Sequence, residues 1–202
     1  MASTETSTDD AGIGGEAALQ SILSRAETNG RGPAPVERWE PAHCGDLDIQ
    51  IRGDGSWHYN GSPIGRERLV RLFSTVLRKD EDGETYLVTP VEKIRIQVED
   101  APFLAVEMAS TTHDGEPVLT FRTNVGDMVE AGPDHPLRFA GADDGAGLKP
   151  YLLVRGRLEA LLTRSLVHDL VALAEPARVD DSDVLVVRSK GARFVLGKDV
   201  EA

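Results

Sequence analysis

The sequence predicts a β-rich α+β protein built as two similar lobes. Three observations predict it. Apolar and polar residues alternate through several short segments, the mark of half-buried strands. Two segments switch instead to helical spacing. The order of these elements then recurs in the second half of the chain.

Taken in order, residues 1–14 are small, polar and acidic and read as a disordered tail. A short helix is expected over 15–26, with Leu19, Ile22, Leu23 and Ala26 on one face, and residues through 35 form a linker broken by NGRGPAP. The first lobe is set at 36–140. In LDIQIR, Leu47, Ile49 and Ile51 alternate with Asp48, Gln50 and Arg52, which gives a strand. GDG turns it and SWHYN returns. Leu69, Val70, Phe73, Val76 and Leu77 fall at helical spacing, so an amphipathic helix is expected over 65–78. KDEDGE follows as a charged, solvated loop. TYLVTP and EKIRIQVED are strands, and FLAVEMAS and PVLTFRT form a pair split by the turn THDGE. The Gly-, Pro- and Asp-rich stretch 131–149 marks the lobe boundary, and the second lobe is set at 141–202. There PYLLVRG and LEALLTR are strands, and SLVHDLVALA is a helix capped by Ser165. Leu166, Val167, Leu170 and Val171 share one face of it. DVLVVRSKGARFVLG is a hairpin turning at Lys190 and Gly191.

The landmarks of the two blocks register. Ile51-Arg52-Gly53 matches Val154-Arg155-Gly156, Leu69-Val70 matches Leu166-Val167, and Tyr86-Leu87-Val88 matches Val184-Leu185-Val186. The spacing between matched landmarks shortens once and then holds, as a short deletion in the first hairpin requires. A degenerate duplication is inferred.

Composition excludes several functions. Hydrophobic residues make up 40% of the 202, enough for a core, yet no apolar run approaches the ~20 residues of a membrane span. The amino terminus lacks the basic start and apolar stretch of a signal peptide, so a cytoplasmic location is expected. The single cysteine, Cys44, cannot form an internal disulfide or a thiolate metal cage, and it reads as a small buried hydrophobe. No metal site and no cofactor are expected. The net charge of −12 disfavours nucleic acid, whose binding needs a basic face. No membrane partner is expected, and the oligomeric state is not set by the sequence.

The stretch CGDLDIQIRGDGSWHYNGSPIGRERLVRLFSTVLRKDEDGETYLVTPVEKIRIQVEDAPF, residues 44–103, closely resembles the signature of a bacterial domain-of-unknown-function family, number 1285. PYLLVRGRLEALLTRSLVHDLVALA is similar to that family's C-terminal part, and the resemblance runs over about 36–197. It implies a fold of its own with repeated motifs and a role in signal transduction. It implies no established activity, substrate or catalytic residue.

Phosphate-binding glycine loops and the GxSxG elbow are absent from the sequence. Asp46, Asp48 and Asp54 crowd the first hairpin and could do acid–base work, although Asp54 between two glycines is also good turn chemistry. A hydrolase using these carboxylates is the alternative function. DEDGE lacks the acid spacing of a calcium loop. The expected function is a non-enzymatic ligand-binding or protein-interaction module. Its site is placed at Arg52, Trp57, Tyr59, Arg66, Glu92 and Lys93. Trp57 and Tyr59 are in phase on one strand, Arg52 ends a strand and Arg66 opens a helix, while Glu92 and Lys93 stand at a strand mouth. Together they suit an anionic small molecule or a protein partner bearing acids. The plainer reading makes Trp57 and Tyr59 core residues and the charges ordinary surface pairs.

Residues 1–14 hold too little apolar surface to offset the cost of ordering them. Deleting them should leave the thermal midpoint unchanged in a calorimetric scan. A drop of more than about 4 °C would show that they dock.

Overall fold

The computed structural model describes residues 33–141 and 147–198. The tail expected over 1–14 and the helix expected over 15–26 lie outside the described residues. The chain divides into two compact units. Among the described residues, the first takes 33–50 together with Trp57–Gln97, and the second takes Ile51–Ser56 and the described residues from Val98 onward.

The first unit opens with a single 3-10 turn, Val36–Arg38. Strand β1 is His43–Ile51, β2 Trp57–Tyr59 and β3 Ser62–Pro63. Helix α1 is Glu67–Thr75, followed by β4 Leu77–Lys79, β5 Thr85–Val88 and β6 Lys93–Val98. These strands form one sheet in the order β3-β2-β1-β6-β5-β4. Alternation decides its two faces. The register sets Leu77 opposite Leu87 and Leu87 opposite Ile94, so these residues form one apolar row across three strands. Leu47, Ile49 and Ile96 are buried too, with Phe73 of α1. The Trp57 ring stacks on Phe73 at 6.0 Å between centroids. The next row along, Arg78–Tyr86–Arg95, falls on the opposite face.

The helix expected over 65–78 stops at Thr75. The Ser74 hydroxyl donates to the Arg71 carbonyl and the Thr75 hydroxyl to Leu72, each at 2.7 Å. Such back-bonds compete with the helix ladder. Val76 then leaves the helix, and its carbonyl accepts the Val88 N–H across β5. Leu77 is therefore a strand residue, in a strand that the helical pattern concealed.

The second unit holds β7 Phe103–His113, β8 Glu116–Thr123, β9 Met128–Glu130, β10 Leu137–Gly141, β11 Leu148–Arg155 and β12 Leu158–Leu162. Helix α2, Arg164–Ala172, follows, then β13 Glu175–Val179, β14 Ser182–Ser189 and β15 Ala192–Lys198. Its main sheet runs β10-β11-β12-β7-β8-β9, with β12 and β7 parallel. Strands β13-β14-β15 make a second sheet. Phe103, Phe121, Leu119, Leu152 and Leu158 are fully buried side chains here.

The α+β, β-rich, two-lobed class stands, but three details differ. The division falls near residue 98, not at 140/141. The expected boundary falls inside β10, which pairs directly with β11, Leu137 opposite Leu152, so the Gly- and Asp-rich stretch carries a strand of the second unit's main sheet. The element order of the two blocks does recur, but the pairing does not. β4, β5 and β6 continue the sheet of β1 and β2, whereas β13, β14 and β15 stand in a sheet apart from β11 and β12. The N-cap of α2 is Thr163, with Ser165 inside the first turn. Leu166 and Leu170 are buried as expected, while Val171 is 44% exposed.

Phe73 is fully buried beneath α1. Phe73→Ala should cost about 3–5 kcal/mol in urea unfolding, because the cavity left against Trp57 cannot close. A loss below about 1 kcal/mol would mean that the surrounding side chains refill the space.

Candidate functional site

The outer face of the first sheet gathers the titratable groups of that unit. It follows from the register: once Leu87 and Ile94 point inward, Tyr86 and Arg95 must point outward together. The Arg78 side chain is only 7% exposed. Its Nε donates to Asp80 at 2.6 Å, and its Nη1 donates to the carbonyls of Val36 at 2.9 Å and Trp39 at 2.6 Å. Lys93 Nζ donates to the other oxygen of Asp80 at 2.9 Å and lies 4.4 Å from the centroid of the Tyr86 ring. The Tyr86 hydroxyl donates to Asp82 at 2.7 Å. Arg95 grips Asp46 through two bonds, at 3.0 and 2.5 Å, and His43 Nε2 lies 3.6 Å from the same carboxylate. The His43 ring meets Tyr86 edge-on at 5.9 Å.

These contacts set the protonation states. The hydrogen bond to Asp82 pushes the Tyr86 phenol up to about 12. The hydrogen bond from Arg95 lowers the Asp46 carboxyl, and the bond from Tyr86 lowers Asp82. For Asp80, burial pulls upward, but the hydrogen bonds from Arg78 and Lys93 outweigh it and the net shift is downward. A similar device recurs in the second unit. The Tyr151 hydroxyl donates to Asp100 at 2.7 Å, Lys149 binds the same carboxylate at 2.9 Å, and Arg138 lies 4.2 Å from the Tyr151 ring centroid. Burial, with the bond to Asp100, lifts Tyr151 to about 12.

The expected site residues sit in different surroundings. Trp57 is 2% exposed and stacked on Phe73, so it offers no open aromatic wall. Tyr59 is half-buried on β2, and Arg66 is exposed at the N-cap of α1. Arg52 is exposed but belongs to the second unit. Glu92 closes a tight turn, its carbonyl accepting the Thr89 N–H at 2.8 Å, and Lys93 is taken up by Asp80. Of the hairpin carboxylates, Asp46 is held by Arg95, and Asp54 accepts the Ser56 N–H at 2.9 Å as turn chemistry demands. KDEDGE is more than a solvated loop, since Asp80 and Asp82 anchor the outer face. Cys44 is exposed rather than buried, with its thiol 3.3 Å from the Ala42 carbonyl. No group of three or more His, Cys, Asp or Glu residues is placed to hold a metal ion among the described residues. Nor is any helix among them long and apolar enough to cross a membrane.

The family models divide the chain near the same point as the structure. The "Domain of unknown function (DUF1285), N-terminal domain" matches residues 34–101, and the "Protein of unknown function (DUF1285), C-terminal domain" matches 102–196. The chain belongs to the DUF1285 family. The crystal structure of a DUF1285 family protein from Silicibacter pomeroyi DSS-3 is similar at 41% identity and a TM-score of 0.79, covering 88% of this chain and 95% of that one. A DUF1285 family protein from Shewanella baltica OS155 is 29% identical over 62% of this chain and 91% of its own, with a TM-score of 0.49. No curated protein matches. The DUF1285 resemblance covers Tyr86, Asp80 and Arg95 through its N-terminal model and Tyr151 and Asp100 through the pair of models.

Asp80 makes the stability of the first unit depend on pH. Its folded pKa lies below 3.8, so its stabilisation is complete above that value and is lost as pH falls through the folded pKa. Asp80→Asn should therefore lower the urea midpoint at about pH 7, and the gap from the parent protein should narrow at about pH 2.5. Equal gaps at both pH values would show that the carboxylate charge is not the stabilising element.

Proposed function

We propose that this protein is a cytoplasmic, non-enzymatic binding module that takes an anionic ligand and serves bacterial signal transduction. The observation that carries the reading is the direction of its carboxyl and phenol shifts. The carboxyls of Asp46, Asp80, Asp82, Glu107 and Glu130 all fall, and the Tyr86 and Tyr151 phenols rise to about 12. General acid–base catalysis calls for a group that titrates near the working pH, and each of these groups moves away from it. The hydrolase alternative would need Asp46 free, and Arg95 holds it as an anion.

What remains for a ligand is a small set of uncommitted cations. Arg66 and Arg68 are exposed at the start of α1 and make no ion pair among the described residues. The N-cap, Arg66, provides no side-chain cap, so the first N–H groups of the helix look outward beside two guanidinium groups. Such an end attracts anions through its dipole and its unbonded donors. A guanidinium matches carboxylate or phosphate with two parallel bonds. In the second unit Arg52 is likewise exposed without an ion pair among the described residues. Lys93, neutralised by Asp80, drops out of the binding set, and so does the buried Trp57.

Isothermal titration with pyrophosphate and with citrate, at about 50 mM salt, tests the reading. At least one probe should bind, and Arg66→Ala/Arg68→Ala should weaken it about 10-fold or more while leaving the urea midpoint in place. Equal affinity in the variant, or no binding of either probe, would remove the reading.

A further inference from the structure

Strand β7 has one edge that its own sheet leaves unused. Its parallel neighbour β12 covers only Phe103–Ala105. Beyond that the Thr163 N–H bonds to the Ala105 carbonyl and the chain turns into α2. From Glu107 to His113, β7 is paired on one side alone, to β8, among the described residues. All of this stretch is exposed except half-buried Met108.

The direction of its backbone groups can be derived. The hairpin closes through Asp114 and Gly115, at φ 52° and 82°, with His113 opposite Glu116. In a two-residue hairpin the closing pair exchanges its bonds inward, and the pairs then alternate. His113, Thr111, Ala109 and Glu107 therefore bond to β8, while Thr112, Ser110 and Met108 direct N–H and C=O to the open side. The partners on β8 agree independently. Pro117, opposite Thr112, gives its carbonyl to the Lys190 N–H. Leu119, opposite Ser110, gives its N–H to Ser189 Oγ and its carbonyl to the Ala131 N–H. Both reach away from β7.

Three other edges are blunted in ways that prevent strand addition. β3 is two residues with Pro63, β13 contains Pro176, and β9 is three residues long. The stretch Glu107–His113 has no proline, no lysine and no glycine, and it carries two β-branched threonines. Self-pairing about a two-fold axis sets one residue opposite itself, and outward groups must meet outward groups. Of the possible centres in this stretch, only Ser110, at its middle, uses the whole free length. This register puts Met108 opposite Thr112, Ala109 opposite Thr111 and Glu107 opposite His113. Every outward N–H and C=O of both strands is then bonded, and a carboxylate faces an imidazole at each end.

We infer that the β7 edge, residues 107–113, is a self-association surface at which a second copy of this chain adds antiparallel, with Ser110 opposite Ser110. Sedimentation equilibrium at about 150 mM salt should show a dimer that dissociates on dilution. Ser110→Pro removes an N–H that the β8 ladder does not use, so it should give a monomer at every concentration where the parent dimerises, with the urea midpoint preserved. In a Cys44→Ser background, Ser110→Cys should form a disulfide-linked dimer on mild oxidation, and Thr112→Cys should do so far less. The cross-link reports register whether or not the proline variant folds. A parent protein that stays monomeric to about 0.5 mM overturns the inference and leaves the edge to a different protein's strand. Dimerisation of the folded proline variant at parental strength, or equal cross-linking at 110 and 112, overturns it as well.

Discussion

Arg78 carries a full positive charge into a site with little water. Leaving such a charge uncompensated costs several kcal/mol, so the surrounding chain has to be arranged around it. Asp80 supplies the countercharge. The carbonyls of Val36 and Trp39 occupy the remaining terminal nitrogen. One side chain thereby fixes three things at once: the 3-10 turn at the start of the unit, the course of β4, and the turn that leads into β5. Asp80 in turn draws in Lys93, and Lys93 covers the face of Tyr86. The charges on this face are arranged as a closed set. Arg78, Lys93 and Arg95 each have a carboxylate partner within it.

The closed set depends on strand register. Shifting β6 by one residue against β5 would bring Ile94 outward beside Tyr86 and carry Lys93 and Arg95 into the apolar row. The apolar cost of such a slip and the electrostatic cost act in the same direction. The core and the polar face therefore specify the same pairing, and each constrains the other.

Much of this was legible in the sequence, and the rest was hidden for definite reasons. Alternation in LDIQIR and EKIRIQVED set β1 and β6 and their buried residues, since period two survives any tertiary context. The helical spacing of Leu69, Val70 and Phe73 set α1. The same spacing ran on into Val76 and Leu77, because a buried strand that follows a helix directly can keep both residues inward without changing the pattern. Trp57 and Tyr59 shared a strand face as expected, but phase does not say which face is covered, and Phe73 covers the Trp57 side. The pairing of Tyr86 with Arg95 was within reach once TYLV and EKIRIQ were read as adjacent strands. The grip of Asp46 on Arg95 was not, because it joins positions far apart in the chain. The boundary near residue 98 carries no run of Gly or Pro, whereas the richer stretch at 131–149 includes β10, a strand of the second unit's main sheet.

The two units also differ in how their helices treat the sheet beside them, and this determines which edges stay open. In the first unit, α1 follows β3, a two-residue edge strand ending in Pro63, and β4 at the other edge is three residues long. Neither edge offers a run of free donors. In the second unit the helix follows β12, which lies inside the sheet. The chain leaves the sheet at Thr163 after covering three residues of β7, and β7 continues for eight more. Its outer half is held by β8 alone. The strand remains ordered because β8 is held on its far side by β9, by the Ala131 N–H and by Ser189 and Lys190. An edge supported from behind in this way can stay extended with no partner in front, as strand addition requires.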